Sequence, residues 1–485
     1  MTEHLDWQRA VGPGLDRDNG RALVVVANRL PLEYDEDTGW RKAPGGLVTA
    51  MESVLRDRVS TWIGWSGRFE DRRTQETPPP PEGAGDMALD ELLLTPSEFS
   101  AYYEGFSNGA IWPLYHDVIA TPAYHRKQFE AYRRVNEKFA RRAAQVAPRG
   151  AVVWVHDYQL QLVPMMLRLL RPDLKIGFFL HIPFPPPELF SQLPWRRTIL
   201  EGLLGADLIG FQTNEGALNF MRLVRKFLAL KTGGDRVVVD ELSGTRIVRV
   251  DDFPIGIRVQ DYADLAADPD VIERARQIRI DLGEPELLLL GIDRLDYTKG
   301  IDVRIQAVTE LLLDGDLDPE KTVFLQVATP SREGVEEYRR MRDGIESLVS
   351  RANGDIGKLG VTPIHYLHQQ MPRDELVAMY VAADVMLVTP LRDGMNLVAK
   401  EYVACREGDD GALVLSEFTG AAQQMPEAWL VNPYDIAGLK TSIVDAACSP
   451  AEESGRRMSA LRHSVFEYDV ARWAAEFLRR LEGDR

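Results

Sequence analysis

The chain has 485 residues and a formal net charge of −17, and 45% of its residues are hydrophobic and 27% are charged. This length exceeds what one hydrophobic core serves well, so it predicts two domains of roughly 200 residues or more. The acidic balance argues against a general nucleic-acid binder, which needs many lysines and arginines for phosphates. Small anionic substrates remain compatible, since a few inward-facing basic side chains can hold a phosphate.

Cysteine content and hydropathy bear on location. The sequence has 2 cysteines, Cys405 and Cys448, which form no disulfide framework and favour a reducing cytoplasm. The first 20 residues are polar and lack the apolar core of a signal peptide. The longest aliphatic runs fall far short of the roughly 20 residues that span a bilayer. We therefore expect a cytoplasmic protein that acts on small molecules and binds neither nucleic acid nor a membrane.

Short apolar runs alternate with longer amphipathic stretches along the chain. The first half predicts strands at 22–28, 151–156, 175–181 and 207–212, and helices at 121–145, 159–170 and 214–230. The second half predicts strands at 286–291, 322–328, 364–367, 384–388 and 412–415, and helices at 301–313, 334–351, 373–382 and 459–481. Such alternation indicates parallel sheets covered by helices on both faces.

Proline and glycine interrupt this pattern at Asp252-Phe-Pro-Ile-Gly-Ile257. We therefore predict an N-terminal domain of residues 1–253 and a C-terminal domain of residues 254–485, with the last helix free to pack back on the first. The predicted fold class is α/β, with two doubly wound, Rossmann-like domains facing one another across a cleft. Ligands of such sheets bind beyond the carboxyl ends of the strands, so residues there are the first candidates.

Three strand-to-helix connections carry candidate phosphate ligands. Arg29 ends the first strand, and Gly45 and Gly46 precede a helix; paired glycines let a backbone approach a phosphate, although a plain turn is the simpler reading. Arg294 and Lys299 follow a later strand together and could neutralise the charge of a departing diphosphate, or could be surface residues.

The third connection runs from Val388 to Glu401. Asp393 could accept hydrogen bonds from sugar hydroxyls, and the N–H groups of Met395 to Val398 could face a phosphate. Glu401, about one helical turn further on, could take both hydroxyls of a ribose. The alternative is a capped helix in which Asp393 is only a turn residue.

Other candidates also follow predicted strands. His156, Asp157 and His181 stand at strand ends, where a histidine is often structural. The aromatic segment Tyr102–Trp112 could offer a face for stacking on a sugar, or could belong to the core. Arg332 could hold a phosphate or cap a helix. The sequence lacks GxxxxGK[ST] and HExxH, and no metal or other cofactor is predicted.

Taken together, the segments resemble the trehalose-6-phosphate synthases, retaining glycosyltransferases with the two-domain GT-B fold. The resemblance runs from about Leu23 to about Asp435. It rests on the ordered segments ANRLP, the Gly-Gly loop, YYEGFSNGAIWP, WVHDYQL, GFFLHIPFPPPE, DRLDYTKG, ATPSRE and TPLRDGMNLVAKEYVA.

The resemblance implies transfer of glucose from UDP-, ADP- or GDP-glucose to glucose 6-phosphate, with retention of configuration and release of the nucleoside diphosphate. The implied acceptor residues are Arg29, Tyr103, Trp112, Asp157 and Arg332. The implied donor residues are Gly45, Gly46, His181, Arg294, Lys299, Met371, Asp393, Met395, Asn396, Leu397, Val398, Ala399, Lys400 and Glu401. Among these, the implied catalytic residues are Arg294, Lys299, Asp393 and His181.

One departure and several alternatives stay open. Met371 stands where the family often has an aromatic residue near the nucleotide base, so the sequence does not select the donor nucleotide. A homo-oligomer, either a dimer or a tetramer, also stays open. A GT-B synthase with another, neutral acceptor, for example a glucan chain or a glucosylglycerol-type compound, is the alternative enzyme, and Arg29 and Arg332 argue against it. A catalytically silent module that binds sugar phosphate is the alternative from another class.

Overall fold

The computed structural model describes residues 22–35, 39–42, 60–70, 87–241, 244–332, 336–358, 360–408 and 410–483. The chain divides into two compact units, Met1–Phe253 with Ala474–Arg485 and Pro254–Trp473. Gly45, Gly46 and the proline-rich segment 71–86 lie outside the described residues, so the roles predicted for the two glycines stay predictions. In the described part of the chain, no helix has the length and apolar character that crossing a membrane requires. The cytoplasmic location stays a prediction.

The N-terminal unit is built on a nine-stranded sheet with the order β5-β4-β1-β6-β7-β8-β11-β10-β9, and β2 and β3 form a separate hairpin. The strand pairs from β5 to β11 are parallel, and β10 pairs antiparallel with both β11 and β9. The strands are β1 Leu23–Arg29, β2 Leu32–Asp35, β3 Gly39–Lys42, β4 Ser60–Trp65, β5 Met87–Glu91, β6 Val152–His156, β7 Lys175–Phe179, β8 Leu208–Phe211, β9 Thr232–Gly233, β10 Arg236–Glu241 and β11 Gly244–Asp252.

Helices of this unit cover the parallel part of the sheet. They are α1 Pro96–Phe99, a π-helix Ser100–Ile111, α2 Trp112–Tyr115, α3 Arg126–Val146, a 3-10 helix Tyr158–Leu160, α4 Val163–Leu170, α5 Pro187–Phe190, α6 Arg196–Leu203 and α7 Asn214–Leu228. The apolar run that forms β1 is buried from Leu23 to Ala27, as expected for a strand inside a parallel sheet.

The C-terminal unit contains a six-stranded parallel sheet with the order β14-β13-β12-β15-β16-β17. The strands are β12 Leu287–Arg294, β13 Thr322–Thr329, β14 Ile364–Leu367, β15 Val385–Val388, β16 Ala412–Ser416 and β17 Trp429–Val431. The helices are α8 Val259–Ala266, α9 Pro269–Asp281, a 3-10 helix Tyr297–Lys299, α10 Ile301–Asp314, α11 Glu336–Ile356, α12 Arg373–Ala382, α13 Leu397–Ala404, a 3-10 helix Gly420–Gln423, α14 Ile436–Ala447 and α15 Ala451–Glu467. Helix α16 Val470–Glu482 begins in this unit, and from Ala474 onward it belongs to the N-terminal unit.

The core of this unit is formed by aliphatic faces of the sheet and of helices α10 and α14. Leu289, Phe324 and Leu387 from the strands pack with Ile305 and Ile443 from the helices. Helix α10 starts where Gly300 takes a φ of 60°. A Cβ at Gly300 would lie 2.6 Å from the carbonyl oxygen of Thr389, so this tight connection between β12 and α10 requires glycine.

The α/β class and the alternation of parallel strands with helices are confirmed. The helix predicted over 459–481 is wrong in one respect, because it is broken between α15 and α16, where Tyr468 takes a φ of −106° and a ψ of 58°. The β10–β11 hairpin and the strand β4 were missed. The predicted strand at 286–291 extends to Arg294, because its pairing with β13 continues to Thr329.

Candidate functional site

The first strand of the N-terminal unit ends at Arg29, whose guanidinium lies over an indole ring. Its Cζ is 4.6 Å from the ring centroid of Trp65, and the register of β1 with β4 pairs the two residues. A carboxylate oxygen of Glu33 lies 3.7 Å from Arg29 Nη1, and 39% of the Arg29 side chain is exposed. A Cβ at Gly64 would lie 2.5 Å from the Arg29 carbonyl carbon, so glycine allows this approach. The strand end presents an oriented and accessible cation.

The two predicted sugar-stacking residues differ in exposure. Tyr103 lies in the π-helix, stacks on Phe99 with 5.1 Å between ring centroids and is partly exposed. Trp112 begins α2 and is 4% exposed. Its ring centroid lies 4.2 Å from that of His116 and 5.6 Å from that of Tyr158. Tyr103 can therefore offer a face to a ligand, whereas Trp112 is mostly enclosed by its neighbours.

The π-helix Ser100–Ile111 is fastened to the end of β1, because the Tyr102 hydroxyl donates to Asn28 Oδ1 at 2.9 Å. Such helices are rare and often occur at functional sites. This one contains Gly105-Phe-Ser-Asn-Gly109, which has the G-x-S-x-G spacing of a hydrolase nucleophile elbow. An elbow needs a strand–turn–helix bend that exposes the serine. Ser107 instead lies inside the π-helix and is buried, so it does not fit that role.

Three predicted residues, His156, Asp157 and His181, are brought together by the pairing of β6 with β7. Asp157 has a φ of 74°, which is uncommon for a residue with a side chain. Its Oδ1 accepts a hydrogen bond from the backbone N–H of His181 at 3.2 Å. The two imidazoles share a hydrogen bond, with 3.1 Å between His156 Nδ1 and His181 Nε2. Asp157 and His156 together fix the position of His181.

Both imidazoles are neutral at physiological pH. Burial lowers the pKa of His181 to about 3. Burial, together with the repulsion that would arise if both rings were protonated, lowers the pKa of His156 well below its usual value. These rings therefore act as hydrogen-bond partners and not as cations. His156 is buried while His181 is partly exposed, so His181 is the ring that can reach a ligand.

In the C-terminal unit, Lys299 and Asp393 form an ion pair. Lys299 Nζ lies 2.5 Å from Asp393 Oδ2, and the two side chains are 11% and 17% exposed. Asn396 Nδ2 donates to the same carboxylate oxygen at 3.2 Å. Arg294, the last residue of β12, is exposed. The two cations predicted at this strand end, Arg294 and Lys299, thus belong to one connection. Asp393, the predicted ligand of the sugar, is paired with Lys299.

A buried network around Arg304 supports that loop. Arg304 is fully buried, and its Nη1 donates to Asp293 Oδ2 at 2.8 Å and to Gln326 Oε1 at 2.9 Å. Its Nε donates to Thr389 Oγ1 at 3.0 Å, and its Nη2 donates to the Lys299 carbonyl oxygen at 3.3 Å. The network therefore ties β12, β13 and the end of β15 to the loop that carries Lys299.

Arg332 is held by a buried carboxylate. Its Nη1 donates to Asp296 Oδ2 at 2.9 Å and contacts the hydroxyl of Tyr338, and the Arg332 side chain is 6% exposed. Arg332 has a φ of 50°, which is unfavourable for a residue with a long side chain. Asp296 Oδ1 also accepts from the backbone N–H of Thr298 at 3.0 Å. One carboxylate thus connects Arg332 to the loop that carries Lys299.

The predicted nucleotide segment forms the start of α13. Asn396 has a φ of 141°, and its Oδ1 caps the helix by accepting from the N–H of Ala399 at 3.1 Å. Met395 and Asn396 are buried, and Leu397 and Val398 are partly exposed. First-turn N–H groups of a helix have no intrahelical acceptor and favour anions. This end of α13 can therefore receive a phosphate.

Lys400, on the same helix, has a different environment. It is 1% exposed, and its Nζ donates to the Ile255 carbonyl oxygen at 2.7 Å and to Gln424 Oε1 at 2.6 Å. Burial lowers the pKa of Lys400 to about 7. A nucleotide contact from Lys400 would therefore come from its backbone.

Two more predicted donor residues are partly exposed. Glu401 Oε2 accepts a hydrogen bond from the Tyr380 hydroxyl at 2.9 Å. Met371 Sδ accepts from Gln369 Nε2 at 3.5 Å. Within the described ranges, no group of three or more His, Cys, Asp or Glu side chains could hold a metal ion.

Each unit has its own chemical character. The N-terminal unit combines an accessible guanidinium with neutral imidazoles and a tyrosine face, an environment that suits a sugar with an anionic substituent. The C-terminal unit combines strand-end cations with a helix N-terminus, which suits a diphosphate.

Supporting residues were missed by the sequence analysis. Trp65 had a weak signal, since it follows a short apolar run in Gly64-Trp-Ser-Gly67. Asp296, Arg304 and Tyr380 had none. Asp296 lies 36 residues from its partner Arg332, and Arg304 lies 85 residues from Thr389, so only the fold brings them together.

The chain resembles known glycosyltransferases over nearly its whole length. Residues 21–483 match the family described as Glycosyltransferase family 20. A relative from Mycolicibacterium gilvum named trehalose-6-phosphate synthase is 54% identical over 465 residues, which cover 94% of this chain and 92% of the relative. A relative of the same name from Mycobacterium tuberculosis is 52% identical over 472 residues, which cover 95% of this chain and 94% of the relative.

Solved structures give the same result at lower identity. An E. coli structure bound with UDP-2-fluoro glucose has a TM-score of 0.87 and 33% identity, covering 96% of this chain and 99% of the other. An alpha,alpha-trehalose-phosphate synthase (UDP-forming) from Burkholderia xenovorans, in complex with glucose-6-phosphate, has a TM-score of 0.85 and 34% identity. That match covers 95% of this chain and 100% of the other.

Proposed function

Because the chain belongs to glycosyltransferase family 20, we propose that it transfers glucose from a nucleoside-diphosphate glucose to glucose 6-phosphate, forming α,α-trehalose 6-phosphate. The observation that carries the proposal is the Lys299–Asp393 pair. It places the lysine proposed to stabilise the leaving diphosphate beside the carboxylate proposed to bind the donor glucose. The names of the similar Mycolicibacterium and Mycobacterium proteins support the same reaction.

The proposed donor contacts involve the strand ends of the C-terminal unit. When the bond between the glucose anomeric carbon and the phosphate oxygen breaks, negative charge grows on the diphosphate. Arg294 and Lys299 would stabilise that charge, helped by the first N–H groups of α13. Asp393 would accept hydrogen bonds from glucose hydroxyls once Lys299 has a phosphate oxygen as a partner. His181 would contact another glucose hydroxyl as a neutral ring.

The proposed acceptor contacts begin with Arg29, whose guanidinium is accessible and oriented by Trp65. Arg29 would bind the 6-phosphate by charge-assisted hydrogen bonds. Arg332 is proposed for the same phosphate, and Tyr103, Trp112 and Asp157 for the sugar.

The proposed reaction retains the α configuration through a front-face substitution. The attacking hydroxyl oxygen of glucose 6-phosphate bonds to the donor anomeric carbon as the carbon–phosphate oxygen bond breaks. The hydroxyl proton passes to the leaving diphosphate, so a separate protein base is not required. Positioning and charge stabilisation then supply most of the acceleration. No divalent metal is part of the proposal, since arginine and lysine carry that electrostatic role.

UDP-glucose is the donor we favour, because solved relatives are described as UDP-forming. ADP-glucose and GDP-glucose remain alternatives to be tested, since Met371 gives no aromatic stacking partner for a base.

A coupled assay for nucleoside diphosphate release tests the proposal. UDP-, ADP- and GDP-glucose are each supplied with and without glucose 6-phosphate, and the product is identified by mass spectrometry. We expect release that depends on glucose 6-phosphate and a product with the mass of trehalose 6-phosphate. Release that requires a neutral acceptor would favour the alternative enzyme. No acceptor-dependent release with any of the three donors would favour a silent binding module.

The Lys299→Met variant tests, in the same assay, whether Lys299 stabilises the leaving diphosphate. Removing one preorganised charge stabiliser should lower kcat by about 100- to 1000-fold. Lys321→Met is the matched control, because Lys321 is 54% exposed and pairs with Glu286 on the surface. Equal activity of the two variants would contradict the assignment of Lys299.

A further inference from the structure

Three helices of the C-terminal unit bring two tyrosines to one carboxylate. Tyr262 lies on α8, Tyr380 on α12 and Glu401 on α13. The Tyr380 hydroxyl donates to Glu401 Oε2 at 2.9 Å, and the Tyr262 side chain lies close enough to the same carboxylate to affect its pKa. The phenol of Tyr380 is fully buried, so this hydrogen bond is sheltered from water.

The charges around the cluster keep the two phenols as donors. Burial, followed by the negative charge of Glu401, raises the pKa of Tyr380 well above its usual value, and the same causes raise the pKa of Tyr262. Burial raises the pKa of Glu401, while the hydroxyls of Tyr262 and Tyr380 and the charge of Arg373 oppose that rise. The two nearby phenols therefore favour the ionised carboxylate against the cost of desolvation.

Tyr262 is itself held in place. The guanidinium of Arg373 lies 4.4 Å from the Tyr262 ring centroid, and Arg373 Nη1 lies 3.5 Å from Asp261 Oδ2. Cys405 Sγ lies 3.8 Å from the Tyr262 carbonyl oxygen. Arg373 therefore covers one face of the Tyr262 ring, and Cys405 contacts the Tyr262 backbone.

An ionised carboxylate has about four lone-pair positions for hydrogen bonds. The Tyr380 phenol occupies one of them on Oε2, and those that remain can accept the adjacent 2′- and 3′-hydroxyls of one ribose. We propose that Tyr262 and Tyr380 are positioning residues that orient the Glu401 carboxylate toward the ribose hydroxyls of the donor nucleotide. This inference rests on the proposed function, in which Glu401 binds the ribose.

The first test replaces each phenol by a benzene ring of the same shape. Tyr262→Phe and Tyr380→Phe should each raise the donor KM by about 3- to 10-fold, since Tyr380→Phe loses a hydrogen bond to a charged group and Tyr262→Phe loses a hydroxyl beside that group. The kcat at saturating donor and the KM for glucose 6-phosphate should stay within about twofold of the parent. A fall in kcat with an unchanged donor KM would overturn the inference.

Tyr402→Phe is the matched control. Tyr402 lies on α13 beside Glu401 and is fully buried, but its hydroxyl donates to the Asp384 carbonyl oxygen at 3.4 Å. Its loss therefore removes a buried hydroxyl without touching the Glu401 carboxylate. We expect the donor KM to be unchanged in this variant. A rise as large as that of Tyr380→Phe would mean that any buried tyrosine hydroxyl nearby has the effect, and the inference would fail.

The second test reads the ribose contact directly, by titration calorimetry of the full chain with UDP and with 2′,3′-dideoxy-UDP. The parent should bind UDP at least about 10-fold more tightly, because only UDP has hydroxyls for a charged acceptor. That ratio should shrink in Glu401→Gln, Tyr262→Phe and Tyr380→Phe. A merely structural role for the tyrosines would weaken both nucleotides equally and leave the ratio unchanged, which would overturn the inference.

The variants separate two kinds of failure. If Glu401→Gln shrinks the ratio and neither tyrosine variant does, the tyrosine inference fails while the ribose role of Glu401 stands. If Glu401→Gln leaves the ratio unchanged, the ribose assignment fails and the tyrosine inference falls with it. Neither result depends on turnover, so the assay of acceptor-dependent release still judges the proposed reaction independently.

Discussion

The two units hold their cations at different depths. In the N-terminal unit, Arg29 keeps an accessible guanidinium against an indole and near Glu33, and the same unit contains two neutral imidazoles, His156 and His181. In the C-terminal unit, three cations are each joined to a carboxylate. These pairs are Lys299–Asp393, Arg332–Asp296 and Arg304–Asp293.

Burial explains the difference. A cation removed from water needs a charged or strongly polar partner, whereas an exposed guanidinium is stabilised by solvent. We infer that the N-terminal unit is suited to a mostly neutral ligand with one anionic group. The C-terminal unit is suited to a ligand with several anionic oxygens, which can replace carboxylates as partners of its cations. The following predictions test that contrast, starting with the largest effect.

Arg304→Met should destabilise the C-terminal unit by about 3–5 kcal/mol, because it leaves Asp293 as a buried charge without its partner. Burial already raises the pKa of Asp293 despite the opposing charges of Arg304 and Lys299. Denaturant titration monitored by tryptophan fluorescence measures the loss. Adding Asp293→Asn should recover part of it, since the buried charge is then gone. If Arg304→Met alone were as stable as the parent, the Arg304–Asp293 pair would not be needed for stability.

Arg29→Met should change ligand binding much more than stability. We expect the KM for glucose 6-phosphate to rise about 10- to 100-fold, or about 1.4–2.8 kcal/mol, with the affinity for UDP unchanged. Arg41→Met is the matched control, because Arg41 also pairs with Glu33 and is 58% exposed. A similar rise in both variants would remove the distinction between Arg29 and an ordinary surface arginine.

Lys400 departs from the pattern of the C-terminal unit, because its ammonium donates to two uncharged oxygens, on Ile255 and Gln424. Its folded pKa of about 7 lies below the unfolded value of about 10.4. Between these values the unfolded chain binds the extra proton, so stability relative to Lys400→Met should rise with pH. The expected slope approaches about 1.4 kcal/mol per pH unit above pH 7.

Denaturant titrations at a series of pH values between about 6 and 9 measure this dependence. Above pH 7 the free energy of unfolding of the parent, relative to that of Lys400→Met, should rise. Below pH 7 the difference should stay constant, because both the folded and unfolded states carry the proton. Lys321→Met serves as the control, because pairing with Glu286 raises the pKa of Lys321. A flat difference for Lys400 across the range would mean that its ammonium is not desolvated as described.

Local patterns predicted much of the architecture. The apolar runs at 364–367 and the amphipathic stretch at 373–382 match β14 and α12 at both ends. The helix over 459–481 was wrong because periodicity alone does not register the break at Tyr468. The roles of Lys299 and Asp393 were suggested by their positions and the role of Arg29 by the resemblance, and all three stay proposals, while the Lys299–Asp393 pairing itself was not foreseen.

Residue types, their order along the chain and the period of apolar positions determined the α/β class, the parallel sheets and the motifs of a glycosyltransferase. These follow from local backbone preferences and from which faces must be buried. The tertiary structure decided which polar groups meet, as in the joining of Asp296 to Arg332 and of Glu401 to Tyr380. Such contacts join residues that are distant in the chain, and burial sets their strength, so neither can be read from neighbouring residues alone.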